Sequence, residues 1–186
     1  MTEAEQQLIL AKNEILQTER FILRKIILAD SQDIFDYWGD EEVVQNTGTT
    51  KKNSIEEVEQ MIAKWMIPNQ LIIWGIEDRV SQKIIGHIEI HINGDQGELG
   101  WMLNHKFWGK GVMPEVATCL RNFAFEKLKL LVLTASTFVE NRKSKRVMEK
   151  IGMTYLGKFY VSIREVSFLS DYYAITRKDF EKIKEK

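Results

Sequence analysis

The run Leu-Val-Leu-Thr-Ala-Ser-Thr-Phe-Val at 131–139 is almost continuously apolar or β-branched, as a strand buried on both faces requires. A helical pattern leads into it, with Val116, Leu120, Phe123 and Lys127 as the expected inward stripe and Ala117 and Ala124 supporting the helix. Before that helix lies another apolar strand, at 98–103. Strand, loop, helix and strand in this order predict a βαβ unit with parallel strands and a right-handed crossover. The loop at 107–115, Phe-Trp-Gly-Lys-Gly-Val-Met-Pro-Glu, then falls at the carboxyl end of a parallel strand, where ligands favour α/β sheets. Gly109 and Gly111 let backbone N–H groups crowd together, and Pro114 suits a first helical turn. The loop reads either as a phosphate cradle at a helix N-terminus or as a tight turn before a helix.

Composition narrows the function classes. The 186 residues suit one domain, and 44% apolar with 28% charged residues is ordinary for a globular chain. A formal net charge of -1 gives no electrostatic case for a nucleic-acid partner. Cys119 is the only cysteine, so neither an internal disulfide nor a cysteine-rich zinc site is available, and a buried structural thiol is its default reading. Acidic residues near the N-terminus and the lack of an apolar run near ~18 residues argue against a signal peptide and a membrane span. The expected location is cytoplasmic.

The remaining elements follow in order. Leu8, Ile15 and Leu16 share one side of a helix over 3–17, read as a helical extension (1–18) packed on the domain or on a partner subunit of a homodimer, or else as a disordered leader. A first strand spans 20–28, and Asp30 or Ser31 caps a helix through Ile34, Phe35, Tyr37 and Trp38. A polar loop covers 46–53. Ser54 and Glu57 form a capping box for a second helix, with Val58, Met61, Ile62 and Trp65 as its stripe and Pro68 at its end. Strands at 71–77 and 84–92 form a hairpin. In the second, Ile84, Gly86, Ile88, Ile90 and Ile92 take one face, and Ile85, His87, Glu89 and His91 take the other. A turn at 93–97 reverses the chain. A short helix at 142–151 closes on Gly152, with Val147, Met148, Ile151 and Ser144 on one face, and two strands at 154–160 and 166–176 precede a basic, solvated end.

Four strings together resemble the GNAT superfamily of acyl-CoA-dependent N-acetyltransferases, in its RimJ/RimL-like branch. They are Glu-Arg-Phe-Ile-Leu-Arg at 19–24, Gly-Glu-Leu-Gly-Trp-Met-Leu-Asn at 97–104, Trp-Gly-Lys-Gly-Val-Met at 108–113, and Asn141-x-x-Ser144 with Val147 to Met153 behind it. The resemblance implies an α+β fold: a mixed, mostly antiparallel twisted sheet with a central parallel βαβ unit and helices on both faces. It covers about 19–180, within a single acyl-CoA N-acyltransferase domain over 19–186. The family loop runs Gln/Arg-x-x-Gly-x-Gly/Ala, so Trp108 stands first, Gly111 fourth, and Met113 sixth where a small residue is usual. By this resemblance the backbone of Trp108, Gly109, Lys110, Gly111, Val112 and Met113 binds the pyrophosphate of acetyl-CoA. Trp101, Met102 and Leu103 align the pantetheine arm, and Asn141 and Ser144 bind its polar groups. Lys110, Lys143, Lys145 and Arg146 are available to the 3′-phosphate or else form a solvated face.

The implied reaction moves acetyl from acetyl-CoA to a primary amine of a small molecule or a protein N-terminus, by direct attack. No metal, nucleic acid or membrane is implied. An alkylamine with pKa near ~10.4 needs a base or water relay, and a strand N–H near Met102 or Leu103 suits the oxyanion. The base candidates are Glu89 first and Glu98 next, with His87, His91 and Glu165 behind them; each otherwise reads as a solvent-facing residue. Desolvation would raise the pKa of a carboxylate in the cleft. The family's tyrosine acid is replaced by Met148, which leaves Ser144 or no acid. A zinc deaminase reading of His87-x-Glu89 fails for want of Cys-x-x-Cys, and His87 and His91 stand roughly 13 Å apart on a strand. The alternative function is a catalytically impaired acyl-CoA-binding sensor or interaction protein. Acids on the first two helices offer either attraction for a cationic amine or a solvated face.

Overall fold

The computed structural model describes residues 1–45 and 47–185, so Asn46 of the expected polar loop lies outside them. The chain runs α1 (Glu3–Lys12), β1 (Leu16–Gln17), β2 (Phe21–Arg24), α2 (Ser31–Trp38), α3 (Glu41–Val44) and α4 (Ile55–Met61), which continues as a π-turn over Ile62–Met66. Next come β3 (Ile73–Asp78), β4 (Ile84–Asn93), β5 (Gln96–Leu103), α5 (Val112–Glu126) and β6 (Val132–Phe138). The chain then adds α6 (Arg142–Lys150), β7 (Thr154–Ile163), β8 (Val166–Thr176) and α7 (Arg177–Lys184). Among the described residues the strands form one sheet in the order β1-β2-β3-β4-β5-β6-β8-β7, antiparallel throughout except between β5 and β6. That parallel pair is the expected βαβ unit.

Two apolar cores sandwich the sheet. One gathers α1, α5, α6 and α7 through Leu10, Val116, Leu120, Met148 and Phe180; the other gathers α2, α3 and α4 through Ile34, Tyr37, Val43, Val58 and Ile62. Val116, Leu120, Ile34 and Val58 are fully buried. Each such aliphatic contributes roughly 1.5–3 kcal/mol of transfer free energy. Lys127 is exposed, and Leu128 takes the place expected of it because the helix loosens into a turn after Glu126.

Several local expectations change. The N-terminal helix ends at Lys12 and faces inward through Gln6 and Leu10, while Leu8 and Ile15 are exposed. Gln6 Nε2 donates to the Gly94 carbonyl at 2.8 Å, so the helix packs on its own β4–β5 turn. The first strand stops at Arg24, whose guanidinium grips both Asp30 oxygens at 2.8 and 2.9 Å. Asp30 thus spends its side chain on Arg24 and the Ile27 N–H and does not cap α2. Ser54 Oγ accepts from Glu57 N at 3.2 Å, but the Glu57 carboxylate accepts from Asn53 N, one residue off the expected box. A bulge opposite Ile76 and Glu77 breaks the β4 alternation, sending Ile84 to the α2–α4 core and Ile85 to the α5 core. The supposed solvated end is helix α7, anchored by the buried Phe180. Gly152, at φ 84, ends α6 in a Schellman turn, with Met153 N donating to Met148 O and Gly152 N to Glu149 O.

Candidate active site

The site begins where β5 and β6 part. Their pairing covers only Gln96–Glu98 against Val132–Thr134, although β5 runs on to Leu103 and β6 to Phe138. A cleft therefore opens at the carboxyl ends of the parallel strands. Asn104 N donates to Ile85 O, which fixes the alternation along β5. Gly100 and Met102 spend their backbone groups on β4, whereas Trp101 and Leu103 direct theirs into the cleft. Met102 consequently has no N–H to offer an oxyanion, and Leu103 does.

On one side of the cleft lies the glycine loop. Gly109 and Gly111 adopt φ 75 and 76, the left-handed region, and Gly111 is the N-cap residue of α5. Arg20 staples the loop from β2, donating to Lys110 O at 3.0 Å and pairing with Glu115 at 2.7 Å. Trp108 Nε1 donates to Leu103 O at 2.9 Å, tying the loop to the strand. Leu103, Trp108, Gly109 and Gly111 wall a cavity of about 310 Å³ with Trp101, Val112 and Met113. Lys143, Arg146 and Lys150 line it from α6, with Lys143 over the Trp108 ring and 3.7 Å from Glu42. Lys110 and Lys145, expected beside them, lie elsewhere: Lys110 sits over the Phe107 ring, and Lys145 is bound to Asp171 and the Val139 carbonyl at 2.7 and 2.6 Å. Lys150 was missed because its place one turn beyond Arg146 matters only once α6 faces the loop.

On the other side a cavity of about 520 Å³ runs toward α2 and α4. Glu89 is its one carboxylate among the described residues. The side chain crosses over Gly100, its partner on β5, where a Cβ would stand 2.6 Å from Glu89 Oε1. Glu89 Oε2 is buried and lies 3.3 Å from His91 Nε2, an ion-pair approach that completes no well-aligned hydrogen bond. Burial pushes the Glu89 carboxyl up, but His91 and the nearby His87 pull harder, and it ends below its ordinary value. Desolvation alone predicts the opposite direction, and the neighbouring imidazole reverses it. The contact with Glu89 raises His91 in turn.

His87 is buried, stacked on Trp38 with ring centroids 5.2 Å apart, and within 3.1 Å of Tyr37 Oη through Nδ1. Burial lowers its pKa to about 4, so it is a neutral wall at physiological pH. Glu98 and Glu165 are exposed and line neither cavity; Glu98 lies 3.5 Å from Ser136 Oγ. Gly100 is the position that sequence reasoning passed over, and its only signal is that a strand glycine marks a close approach. Gly100→Ala is expected to push Glu89 out of the cleft and lower kcat at least about tenfold while CoA affinity holds, measured by steady-state kinetics and calorimetry. An unchanged kcat would show that the Glu89 pose is irrelevant.

The two cavities meet. Trp101, Met102, Asn141 and Ser144 line both, with Thr47 at the edge. Asn141 caps α6, its Oδ1 accepting from Ser144 N at 3.1 Å, so the helix start is aimed at the junction. Met148, one turn beyond Ser144, is buried in the α5–α6 core and does not reach the cleft.

A split parallel pair, a glycine-bearing helix start and a carboxylate across the junction suit a transferase whose two ligands meet between the cavities. The sequence model of the acetyltransferase (GNAT) domain matches residues 20–154, and the chain belongs to that family. It is 32% identical over 149 residues to YoaA, an uncharacterized N-acetyltransferase of Bacillus subtilis (strain 168), covering 77% of this chain and 84% of the relative. The structure of a GNAT-family acetyltransferase from Bacillus anthracis superposes with a TM-score of 0.79 at 27% identity, covering 88% of this chain and 99% of that one. A spermidine N-acetyltransferase from Vibrio cholerae, solved with CoA and spermine, shares the fold at a TM-score of 0.72 and 19% identity, over 88% and 99% of the two chains. The chain is thus an acetyltransferase of the GNAT family. No helix among the described residues is long and apolar enough to cross a membrane.

Proposed function

We propose that this protein moves acetyl from acetyl-CoA to a primary amine across the junction at Trp101, Met102, Asn141 and Ser144. The observation that carries this reading is the meeting of the two cavities there, one along the glycine loop and one along Glu89. The loop fits a pyrophosphate: two left-handed glycines turn amides toward the groove, the helix dipole adds ~0.3–1 kcal/mol per favourable charge contact, and Lys143, Arg146 and Lys150 lie beyond. The V. cholerae relative solved with CoA supports the same donor here. The strings at 19–24 and 97–104 support the RimJ/RimL-like branch, with 19–186 as one acyltransferase domain behind the 1–18 extension, and a cytoplasmic setting suits that donor.

Acetyl-CoA supplies the activated thioester carbonyl. At neutral pH only about one alkylamine in a few thousand is unprotonated, from a pKa near ~10.4. Glu89, ionised throughout that range, holds the ammonium and receives its proton directly or through water, while the nitrogen lone pair forms the C–N bond. The Leu103 N–H faces the charge growing on the carbonyl oxygen. As the C–S bond breaks, the thiolate takes the electron pair, the nitrogen gives up its second surplus proton through water to the thiolate or to solvent, and the Ser144 hydroxyl, on the junction wall, donates a hydrogen bond to the sulfur. A thiol pKa near ~8.5 makes that departure undemanding, so the reaction does not need the tyrosine acid that the family resemblance implies where this chain has the buried Met148.

The first test is CoA release on mixing with acetyl-CoA and a panel of amines, alongside calorimetric CoA binding. Failure to bind CoA ends the proposal; CoA binding with no transfer to any amine favours the sensor reading, which Met148 also supports. The pH profile gives a second test. Because His91 holds the Glu89 pKa down, His91→Ala is expected to raise it and move the acid limb of kcat/KM to higher pH. An acid limb that stays in place removes Glu89 as the ionising group.

A further inference from the structure

Several of the acids on and beside the first helices are paired with cations. Asp30 is bound to Arg24 at 2.8 Å, Asp33 to Lys83 at 3.7 Å, Asp40 to His105 and Glu41 to Lys51 at 4.0 Å, and none of them lines the acceptor cavity. Two cations do line it, Lys52 and Arg164. Lys52 is half-buried, its backbone N–H fixed to Trp38 O at 3.0 Å, and its ammonium makes no ion pair among the described residues. Arg164 stands at the tip of the β7–β8 hairpin and donates to Thr50 Oγ1, with no carboxylate partner among the described residues.

The tip is a built feature. Arg164 and Glu165 both hold left-handed φ, 52 and 65, which costs of order 1–3 kcal/mol each for non-glycine residues. The neighbouring Ile163 presses on Gly48, where a Cβ would stand 2.6 Å from its Cδ1. The hairpin thus roofs the cavity and locks onto the loop that carries Thr50 and Lys52. Glu89 on the sheet, the half-buried Lys52 on the loop and the exposed Arg164 on the hairpin tip line one cavity, and neither cation has an ion-pair partner among the described residues.

Building on the amine-acetylation reading, we infer that the acceptor is a small amine that also carries an oxyanion group, held by Lys52 and Arg164 while its ammonium meets Glu89. A polyamine placed there would bring its second charge against the half-buried Lys52 and the exposed Arg164, and like charges repel. An amino-carboxylate or amino-phosphonate satisfies all three groups at once. Guanidinium forks match either oxyanion, so the two are distinguished by experiment.

The test uses the full chain with acetyl-CoA and straight-chain amino acids from glycine to 6-aminohexanoate, the matching alkylamines, the matching aminoalkylphosphonates, spermidine and a C-amidated tripeptide. Acetylation is read as CoA release, and binding of the same amines by calorimetry in the presence of CoA. At least one oxyanion-bearing amine is expected to exceed its matched alkylamine in kcat/KM by about tenfold or more, the worth of a charge-assisted hydrogen bond. Whether carboxylate or phosphonate gives the larger ratio identifies the group. The Lys52→Gln, Arg164→Gln double variant is expected to bring that ratio near one, and Arg164→Lys to retain part of it. Spermidine, the plain alkylamines or the tripeptide reacting as well as every oxyanion-bearing probe overturns the inference, as does an unchanged ratio in the double variant. Should no amine be acetylated, binding decides: affinity for an oxyanion-bearing amine that falls in the double variant upholds this site while the transfer reading fails, and absence of such binding overturns both.

Discussion

Glu89→Gln is expected to lower kcat by roughly 10²–10⁴-fold and to leave CoA affinity at the parental level. The substitution keeps shape and volume, so the side chain still lies over Gly100 and the cavity is not enlarged. In the proposed mechanism it removes the charge that holds the ammonium and the site that receives its proton. No other carboxylate lines the cavity among the described residues, and His87, neutral at physiological pH, carries no negative charge to hold an ammonium. Steady-state kinetics with any accepted amine, paired with calorimetric CoA binding, checks the result. A variant retaining most of its kcat would place the proton acceptor elsewhere, with solvent as the remaining route.

The second large effect belongs to the donor side. Gly111→Val places a β-branched residue at φ 76, a conformation that costs such a side chain of order 1–3 kcal/mol. Space is not the obstacle, because a Cβ there meets only Arg20 Nη2, at 3.5 Å. The backbone must either bear the strain or rotate, and rotation turns the first amides of α5 away from the groove. CoA affinity is expected to fall about tenfold to a hundredfold, at 1.4 kcal/mol per decade. Calorimetry with CoA alone reads this directly. An unchanged affinity would mean that the loop is a turn and not a phosphate cradle.

Much of the architecture was legible because it follows from local pattern. The apolar run at 131–139 demanded a strand covered on both sides, and the helix before it demanded a parallel crossover; β5, α5 and β6 form that unit. Gly152 read correctly as the end of α6 because a left-handed C′ residue is a backbone requirement visible in one letter. Errors fell where side chains answer to distant partners. Asp30 resembled a helix cap, but the guanidinium of Arg24 outcompetes an N–H for its carboxylate. The β4 alternation failed at Ile84 and Ile85 because a bulge depends on the pairing with β3, which the strand's own residues do not encode.

The candidate site divides along the same line. The amino-acid sequence alone carried the residues proposed for the donor half, since glycines at 109 and 111, an adjoining strand and helix, and the Asn141-x-x-Ser144 string are short local patterns, and the family resemblance gave them their expected ligand. Only the tertiary structure decided the acceptor half. Glu89 was one carboxylate among several until Gly100 gave it room, His91 set its ionisation and Glu98 proved to face solvent. Lys52 and Arg164 lie more than a hundred residues apart and meet only because the β7–β8 hairpin folds over the loop at 47–53. The physical reason is one of range. Backbone conformation is written in a few neighbouring residues, whereas the charge balance of a cavity is the sum over side chains that the sheet brings together from the whole chain.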